Sequence, residues 1–462
     1  MQQPQQRAGG HEALRPSADL TRPRIDRVPS RDRVLHRNEA FQYSRQPLKY
    51  HPVLRLDSNH VTGPLWFFNP TTALFRSTRS LEDAAEALKD PIDQRIALPK
   101  EPPVHHHQQL IPAAYKWTSR NNRKGRHAIT IKPTRKEEKD LFPPVTSSIR
   151  QVCRGLLRMV TEFPIWDISY DVAIIFTIGS IIWVINCFFA WLPLVRPDTE
   201  FHNEELYGGG ITAFIGATVF EIGSFFLIAE AINENRTGCF GWGVEKTLSH
   251  PNKLGYDPEY PSSNLRCRPA KRSRCTHHHA HRGKLVTALH ECKTDPCNSH
   301  REPRSWIWIP SKRDLLDHHL HDLGFLASLS QLIGASIFWI AGLTALPGIY
   351  NHLPRLAQIL VFWTPQVVGG TGFIISGFLF MVETQRRWYI PAFGTLGWHI
   401  GFWNLVGGIG FTLCPAFGYK EASWAQYQSG LSTFWGSWAF LIGSVIQWYE
   451  SLEKHPVEID KG

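Results

Sequence analysis

A five-position pattern of small, aromatic and acidic residues recurs three times in this chain and constrains its fold more than any other feature. Each copy lies inside a long apolar segment, and the copies are Gly216, Phe220, Gly223, Ser224 and Glu230; Gly369, Phe373, Ser376, Gly377 and Glu383; and Gly436, Phe440, Gly443, Ser444 and Glu450. At about 100° per residue, the Gly, the Phe, the first small residue and the Glu fall within about 80° of one another on a helix. A stripe this narrow, built on small residues, is typical of a helix-packing face in a membrane.

Six segments are apolar over the roughly 17–25 residues that a helix needs to cross a bilayer core of about 30 Å. They cover residues 172–194, 208–232, 323–346, 358–382, 396–414 and 431–449. Pro365 predicts a kink early in the fourth segment, and Pro415 is expected to end the fifth. The 17 Trp residues fit this interpretation, because Trp favours the interface between water and lipid.

The odd-numbered segments also resemble one another, since an Ile-Gly pair in each precedes a Pro at nearly the same distance. The pairs of Gly and Pro are Gly179 and Pro193, Gly334 and Pro347, and Gly401 and Pro415. The repeating unit is then a helical hairpin of about 60 residues, used three times in the same orientation. We therefore predict an all-α membrane protein with six transmembrane helices in three tandem hairpins, at residues 168–236, 321–390 and 394–455.

The remaining segments are polar and basic. Residues 1–160 are rich in Pro and Arg without a sustained apolar period, which predicts a disordered tail with one short helix at 81–89. Residues 237–320 are predicted to form a basic loop that contains scattered Cys and His. These side chains suit Zn²⁺, although no Cys-x₂-Cys spacing occurs, and the basic residues are equally suited to anionic lipid headgroups. Both hypotheses remain open.

The basic residues also predict an orientation. Arg and Lys cluster before the first span, in the 237–320 loop and after the fourth span, so the positive-inside rule places both termini in the cytoplasm. One sequon, at Asn235, would be glycosylated only if that loop were lumenal. The N-terminus MQQPQQRAGG has no apolar core after it, so we predict no cleavable signal and expect the first span to direct insertion.

Several classes of protein are disfavoured by composition and motif. The net charge of +10 is concentrated beside the spans rather than in a compact basic domain, so nucleic-acid binding is not expected. No P-loop, G-x-S-x-G, H-E-x-x-H or Rossmann fingerprint occurs in the sequence, and we expect neither an enzyme nor a cofactor. Membrane lipids are the expected partners. The chain is also expected to form a homo-oligomer through small-residue helix faces. Proteins that bind the tail are unknown.

At three points the residues resemble a known family. The stretches are IGSIIWVINCFFAWLP, YGGGITAFIGATVFEIGSFFLIAEAINENRTGCFGW and FLASLSQLIGASIFWIAGLTALPGI. They resemble fungal multi-pass integral membrane proteins without an assigned function. The hairpin, with G-x-x-x-F-x-I-G-S in its second helix, is similar to the two-helix YrhK-like module. The resemblance covers about residues 162–455, excluding most of 237–305, and implies no cofactor, substrate or catalytic residue.

The carboxylates that end the three stripes are the first candidate site. Glu230, Glu383 and Glu450 could form a ring that gathers cations at the mouth of a pore. Alternatively, each is a charge at the membrane edge with a local partner, because Arg387 follows Glu383 and Lys454 follows Glu450 at the favourable spacing of four residues.

An intramembrane polar site is the second candidate. Glu221 lies in the middle of the second span, where a carboxylate costs a few kcal/mol on insertion scales. Such a charge is hydrogen-bonded inside the bundle or belongs to an ion path, and His399 and Asn404 are candidate partners in the fifth span. The function favoured by these observations is a structural or scaffolding membrane component. The alternative is a transporter or channel with a polar path that involves Glu221.

Overall fold

Long helices form most of the computed structural model, which describes residues 54–77, 113–131, 145–249 and 306–459. The elements in chain order are β1 (Leu54–Thr62), β2 (Thr72–Ser77), β3 (Ala113–Thr118), α1 (Ser119–Arg123), β4 (Ala128–Ile131), α2 (Ile149–Thr161), α3 (Ile168–Val195), α4 (Glu205–Ile232), α5 (Phe240–Ser249), α6 (Lys312–Asp317), α7 (Leu323–Thr344), α8 (Arg355–Glu383), α9 (Leu396–Gly418), α10 (Ser423–Leu452) and β5 (Val457–Ile459).

Helices α3, α4, α7, α8, α9 and α10 form a closed ring, which we call the helical ring. Each helix packs against the next one in chain order, and α10 packs back against α3. These helices coincide with the six apolar segments apart from a few residues at their ends. Helix α9 continues through Pro415 to Gly418, because a Pro in the last turn removes only one hydrogen bond. Helix α10 begins at Ser423 rather than near residue 431. The chain before Pro365 is π-helical at Gln358–Trp363.

The outer surface of the helical ring requires lipid. Among the described residues, five helices are long and apolar enough to cross a membrane, namely α3, α4, α7, α8 and α9. Helix α3, for example, exposes Ile178, Ile181, Ile185 and Phe188 on its outer side. A helix that is apolar all round is stable only inside a large core or a bilayer. The chain is therefore a multi-pass membrane protein.

The three repeated stripes face the inside of the helical ring. All fifteen of their residues are buried. The ring is filled at its centre by one large aromatic side chain from each helix, a set that we call the aromatic layer: Trp183, Phe220, Phe338, Phe373, Phe411 and Phe440. Their ring centroids lie close together, for example 4.9 Å between Trp183 and Phe411 and 5.2 Å between Phe411 and Phe440. Such contacts add to the burial of apolar area.

A small β-domain, made of the five strands and α1, lies at one end of the helical ring. The strand order is β1-β2-β3-β4-β5. Strands β1 to β4 are antiparallel neighbours, and β5 from the C-terminal end pairs parallel with β4. Phe75, Tyr115 and Trp117 are buried in this domain, as expected for strands whose side chains alternate between two faces.

The β-domain corrects the prediction of a disordered tail. Residues 54–77 and 113–131 form strands and a helix, so the prediction is wrong for these two segments. Each strand has only four to nine residues, too short to produce a sustained apolar period in a Pro- and Arg-rich background. The predicted helix at 81–89 lies outside the described residues. So do residues 250–305, which hold most of the Cys and His of the predicted loop.

Helix α2, also within the predicted tail, is strongly amphipathic. One side packs against α10, where Gly155 faces the Tyr449 ring and Arg158 pairs with Glu453 at 2.9 Å. Another side exposes a row of apolar residues: Ile149, Val152, Leu156, Leu157 and Val160. A helix of this kind, placed just before the first span, is typical of the membrane surface.

Candidate functional site

Four cations of the β-domain enter the end of the helical ring where α4, α8 and α10 finish. They belong to residues 119–126, which we call the plug and which consist of α1 and the turn after it. The cations are Arg120, Arg123, Lys124 and Arg126, each at most 7% exposed. The Thr118 side chain caps α1 by accepting a hydrogen bond from the Asn121 amide, and the turn is completed at Gly125, whose φ is +59°. Such a φ favours glycine.

The first carboxylate of the site belongs to Glu383 at the end of α8. Arg123 binds it with both terminal nitrogens: Nη1 donates to Oε1 at 2.7 Å and Nη2 to Oε2 at 2.8 Å. The Ser119 hydroxyl donates to Oε1 at 2.8 Å. Burial opposes the charge of Arg123, but the facing Glu383 carboxylate outweighs it and raises the Arg123 pKa. Paired hydrogen bonds of this kind combine strength with fixed geometry.

The second carboxylate, Glu450 near the end of α10, binds two arginines. Arg120 Nη2 donates to Oε2 at 2.7 Å, and Arg126 Nη1 donates to Oε1 at 2.8 Å. Arg126 Nε also donates to the carbonyl oxygen of Glu453 at 2.8 Å. One carboxylate and one helix end thus satisfy both arginines.

The third carboxylate, Glu230 near the end of α4, has the weakest partner. Lys124 Nζ lies 3.3 Å from its Oε1. The pKa of Lys124 is lowered to about 8, mainly because the group is buried; Glu230 offsets this only in part, and the neighbouring Arg120 adds a smaller lowering effect. Of the four cations in the plug, Lys124 is thus the one whose charge the site holds least firmly.

The site as a whole attracts cations for two reasons. The three carboxylates converge on the plug, and each lies near a helix C-terminus, where the helix dipole also favours positive charge. The local pairs predicted from sequence are wrong. Lys454 instead binds Asp167 at 2.8 Å, and Arg387 donates to the Tyr389 hydroxyl at 2.7 Å. The carboxylates bind the plug because its guanidinium groups can donate two hydrogen bonds to one carboxylate at a buried position.

A small cavity with several polar side chains in its lining lies between the plug and the aromatic layer. It has a volume of about 30 Å³ for the centres of water molecules, enough for about two waters. Its polar lining comes from the inner faces of the ring helices: Ser180, Gln331, Ser376, Asn404, Ser444 and Gln447. The plug covers one end with Arg120, Arg123 and Lys124, and Phe220 and Phe440 of the aromatic layer close the other.

The three residues of the predicted intramembrane site do not meet. Glu221 lies at the seam between α4 and α7, where its Oε1 accepts a hydrogen bond from the exposed Ser336 hydroxyl at 2.8 Å. His399 lies in the first turn of α9, with Nε2 2.8 Å from the Phe393 carbonyl oxygen. Only Asn404 lines the cavity. The structure therefore does not bring Glu221 together with His399 and Asn404.

The sequence reasoning missed the cations of the plug. They stand in the run SRNNRKGR, between the alternating segments AAYKWT and AITI. This arrangement, in which a basic turn joins two short strands, is the signal that could have indicated a folded basic element.

One further group of side chains has the donor types of a metal site. Glu234, His318 and His319 are all buried, and their ligand atoms lie within 4.8 Å of one another. Beside them, Asp322 caps α7 by accepting from the Phe325 amide at 2.8 Å. The pKa of Asp322 is raised to about 6, mainly by burial and in smaller part by the nearby Glu234 and Glu383.

No protein-family model matches the chain, and neither the curated proteins nor the solved structures contain a match. The function must therefore be inferred from the geometry of the site.

Proposed function

We propose that the protein is a structural component of a membrane, in which six spanning helices hold the β-domain at one membrane face. The observation that carries this proposal is the contact between plug and helical ring. Three buried carboxylates from three different helices bind four buried cations of the β-domain. A cluster of this kind fixes the position of one part relative to another, since breaking any buried pair costs several kcal/mol.

The centre of the helical ring supports a structural role rather than transport. A transported ion or polar solute needs a continuous polar path. The aromatic layer interrupts such a path, because its six side chains are buried against one another. Glu221, the residue on which the transport alternative depended, lies at an outer seam and is not part of the cavity lining.

The membrane arrangement belongs to the same proposal. Helix α10 has 30 residues and closes the ring between α9 and α3, so we assign it as the sixth span beside the five more apolar helices. Three hairpins follow if successive spans alternate in direction. The pairing of β4 with β5 supports both chain ends sharing one side, and the positive-inside rule makes that side cytoplasmic.

Family and oligomer are also proposals. The inward stripes of α4, α8 and α10 support a threefold hairpin repeat and, with it, membership of the fungal family that the apolar segments resemble. A homo-oligomer would need helix faces other than the predicted small-residue stripes, since those are buried within a single chain.

Ion flux into proteoliposomes tests this function. We expect the purified wild-type chain to pass K⁺, Na⁺ and H⁺ no faster than protein-free liposomes do. Glu221→Gln should behave identically. Wild-type flux that is lost in Asn404→Leu but kept in Glu221→Gln would overturn the proposal, because it would place the cavity on a transport path.

A further inference from the structure

The described part of the chain contains a second buried polar cluster, separate from the plug and its three carboxylates. Its members are Glu234, just after α4, and His318 and His319, just before α7. These residues are 7%, 6% and 1% exposed. Two imidazoles and a carboxylate are seldom buried together unless they share a proton or a metal ion.

The geometry brings the ligand atoms towards a common point. His318 Nε2 lies 2.9 Å from Glu234 Oε1, and all three residues offer a ligand atom within 4.8 Å of the others. The short helical turn His319–His321, which His318 directly precedes, places two consecutive imidazoles just before α7. The His319 ring also packs against Phe325, with ring centroids 4.8 Å apart.

The side chains around the cluster orient its ligands. Asn122 of the plug donates from Nδ2 to Glu234 Oε2 at 2.9 Å, which leaves Oε1 directed at His318. Asn69, in the β1–β2 connection, lies with its Nδ2 3.4 Å from His318 Nδ1, and the same Nδ2 donates to the His318 carbonyl oxygen at 3.2 Å. The backbone amide of Asn69 donates to the His321 carbonyl oxygen at 2.8 Å. Support of this kind is typical of metal ligands, whose orientation depends on the groups behind them.

We propose that Glu234, His318 and His319 form a binding site for a divalent transition-metal ion, for which Zn²⁺ is the best match. Two imidazole nitrogens and one carboxylate oxygen are a common set of protein ligands for Zn²⁺, with water as the fourth ligand. The metal replaces the proton shared by His318 and Glu234, and this proton is released to solvent. The positive ion is favoured because Asp322 places a second buried carboxylate beside the cluster.

The position of the site gives the metal a structural role. Glu234 and the two histidines belong to the ends of α4 and α7, whereas Asn122 and Asn69 belong to the β-domain. A bound ion would therefore join two helices of the ring and hold the residues that contact the β-domain. Metal binding itself does not depend on the proposed membrane function, and it is measured separately from flux.

Zinc binding to the full-length chain in detergent tests the proposal. All variants carry Ser at Cys267, Cys275, Cys292 and Cys297, so that thiolates of the 250–305 segment do not compete. After chelation and dialysis, we expect the parent chain to bind one Zn²⁺. His319→Ala and Glu234→Gln should bind Zn²⁺ at least about 100-fold more weakly. The matched control is His321→Ala, which removes a histidine of the same turn from outside the cluster and should bind as the parent does.

Two further measurements keep the result decisive. Asn122→Ala removes only the support of Glu234 and should weaken binding by about 10–100-fold. X-ray absorption of the zinc-loaded parent should show nitrogen and oxygen ligands near 2.0–2.1 Å, which does not depend on whether a variant folds. Equal zinc binding by the parent, His319→Ala and Glu234→Gln, or no bound zinc in the parent, would overturn the proposal.

Discussion

Replacing Glu383 with Gln should loosen the contact between the β-domain and the helical ring without disturbing the ring itself. The substitution keeps the size of the side chain but leaves Arg123, which is 2% exposed, as a buried cation without a carboxylate. Removing one partner of a buried pair costs about 3–5 kcal/mol. Because Gln can still accept one hydrogen bond through its carbonyl oxygen, we expect about 3 kcal/mol, which corresponds to roughly a 150-fold change in the opening equilibrium.

Hydrogen exchange measured by mass spectrometry in nanodiscs is the appropriate assay. Peptides from residues 113–131 should lose about 100-fold in protection in Glu383→Gln, while peptides from α7 and α9 should exchange as in the wild type. The double variant Arg123→Met with Glu383→Leu should recover most of the protection, because an apolar pair of similar volume replaces a buried ion pair at little cost.

The matched control is Glu453→Gln, at the same end of the helical ring. Its ion pair with Arg158 is a quarter exposed, so we expect a loss of protection below about fivefold, or under 1 kcal/mol. Unchanged protection in Glu383→Gln, or an equal loss in the ring helices, would refute the reasoning.

Three other predictions address the plug, the membrane surface and the helix contacts. The pKa of Lys124 is about 8 in the folded state, against 10.5 in the unfolded chain. Between these pH values the unfolded state binds more protons, so the free energy of unfolding rises with pH, by up to about 3 kcal/mol. Thermal unfolding of Lys124→Met should lack this rise between pH 8 and 10, and an identical rise in both proteins would contradict the assignment. Cys153 lies exposed beside the apolar row of α2, and it can carry a nitroxide label when the other cysteines are replaced by Ser. In nanodiscs, oxygen should relax this label more than a water-soluble nickel chelate does. The reverse order would place α2 in water. Gly372→Val should destabilise the helical ring by about 1–3 kcal/mol, because a Cβ at Gly372 would lie 2.7 Å from the Gly334 Cα. In the control Gly394→Ala, the added Cβ meets nothing within 4 Å, so the unfolding temperature should stay unchanged.

The ring helices and their inward faces could be predicted from the sequence because both are encoded locally. A span needs about twenty apolar residues, and the spacing of Phe373 and Glu383 places them on the same side of α8. The same geometry explains why Glu221 was misassigned. It follows Phe220 directly, so it is rotated by about 100° from the inward face and reaches the seam with α7 instead.

The partners of the three carboxylates could not be predicted because they are far away in the chain. Lys124 and Glu230 are 106 residues apart, and Arg123 and Glu383 are 260 residues apart. The rule for local helical pairs compares only residues three or four positions apart, so it proposed Arg387 and Lys454. The β-domain was missed for a related reason, since its last strand, Val457–Ile459, comes from the other end of the chain.

Site-specific cleavage between the β-domain and α2 measures most directly whether the plug holds the domain on the helical ring. A protease recognition sequence is placed within residues 132–144, the chain is cleaved in native membranes, and the membranes are washed in high salt. Buried pairs are screened little by salt, so the fragment that carries residues 54–131 should remain with the wild-type membranes and be released from Glu383→Gln combined with Glu450→Gln. Release of the wild-type fragment on cleavage alone would contradict the account.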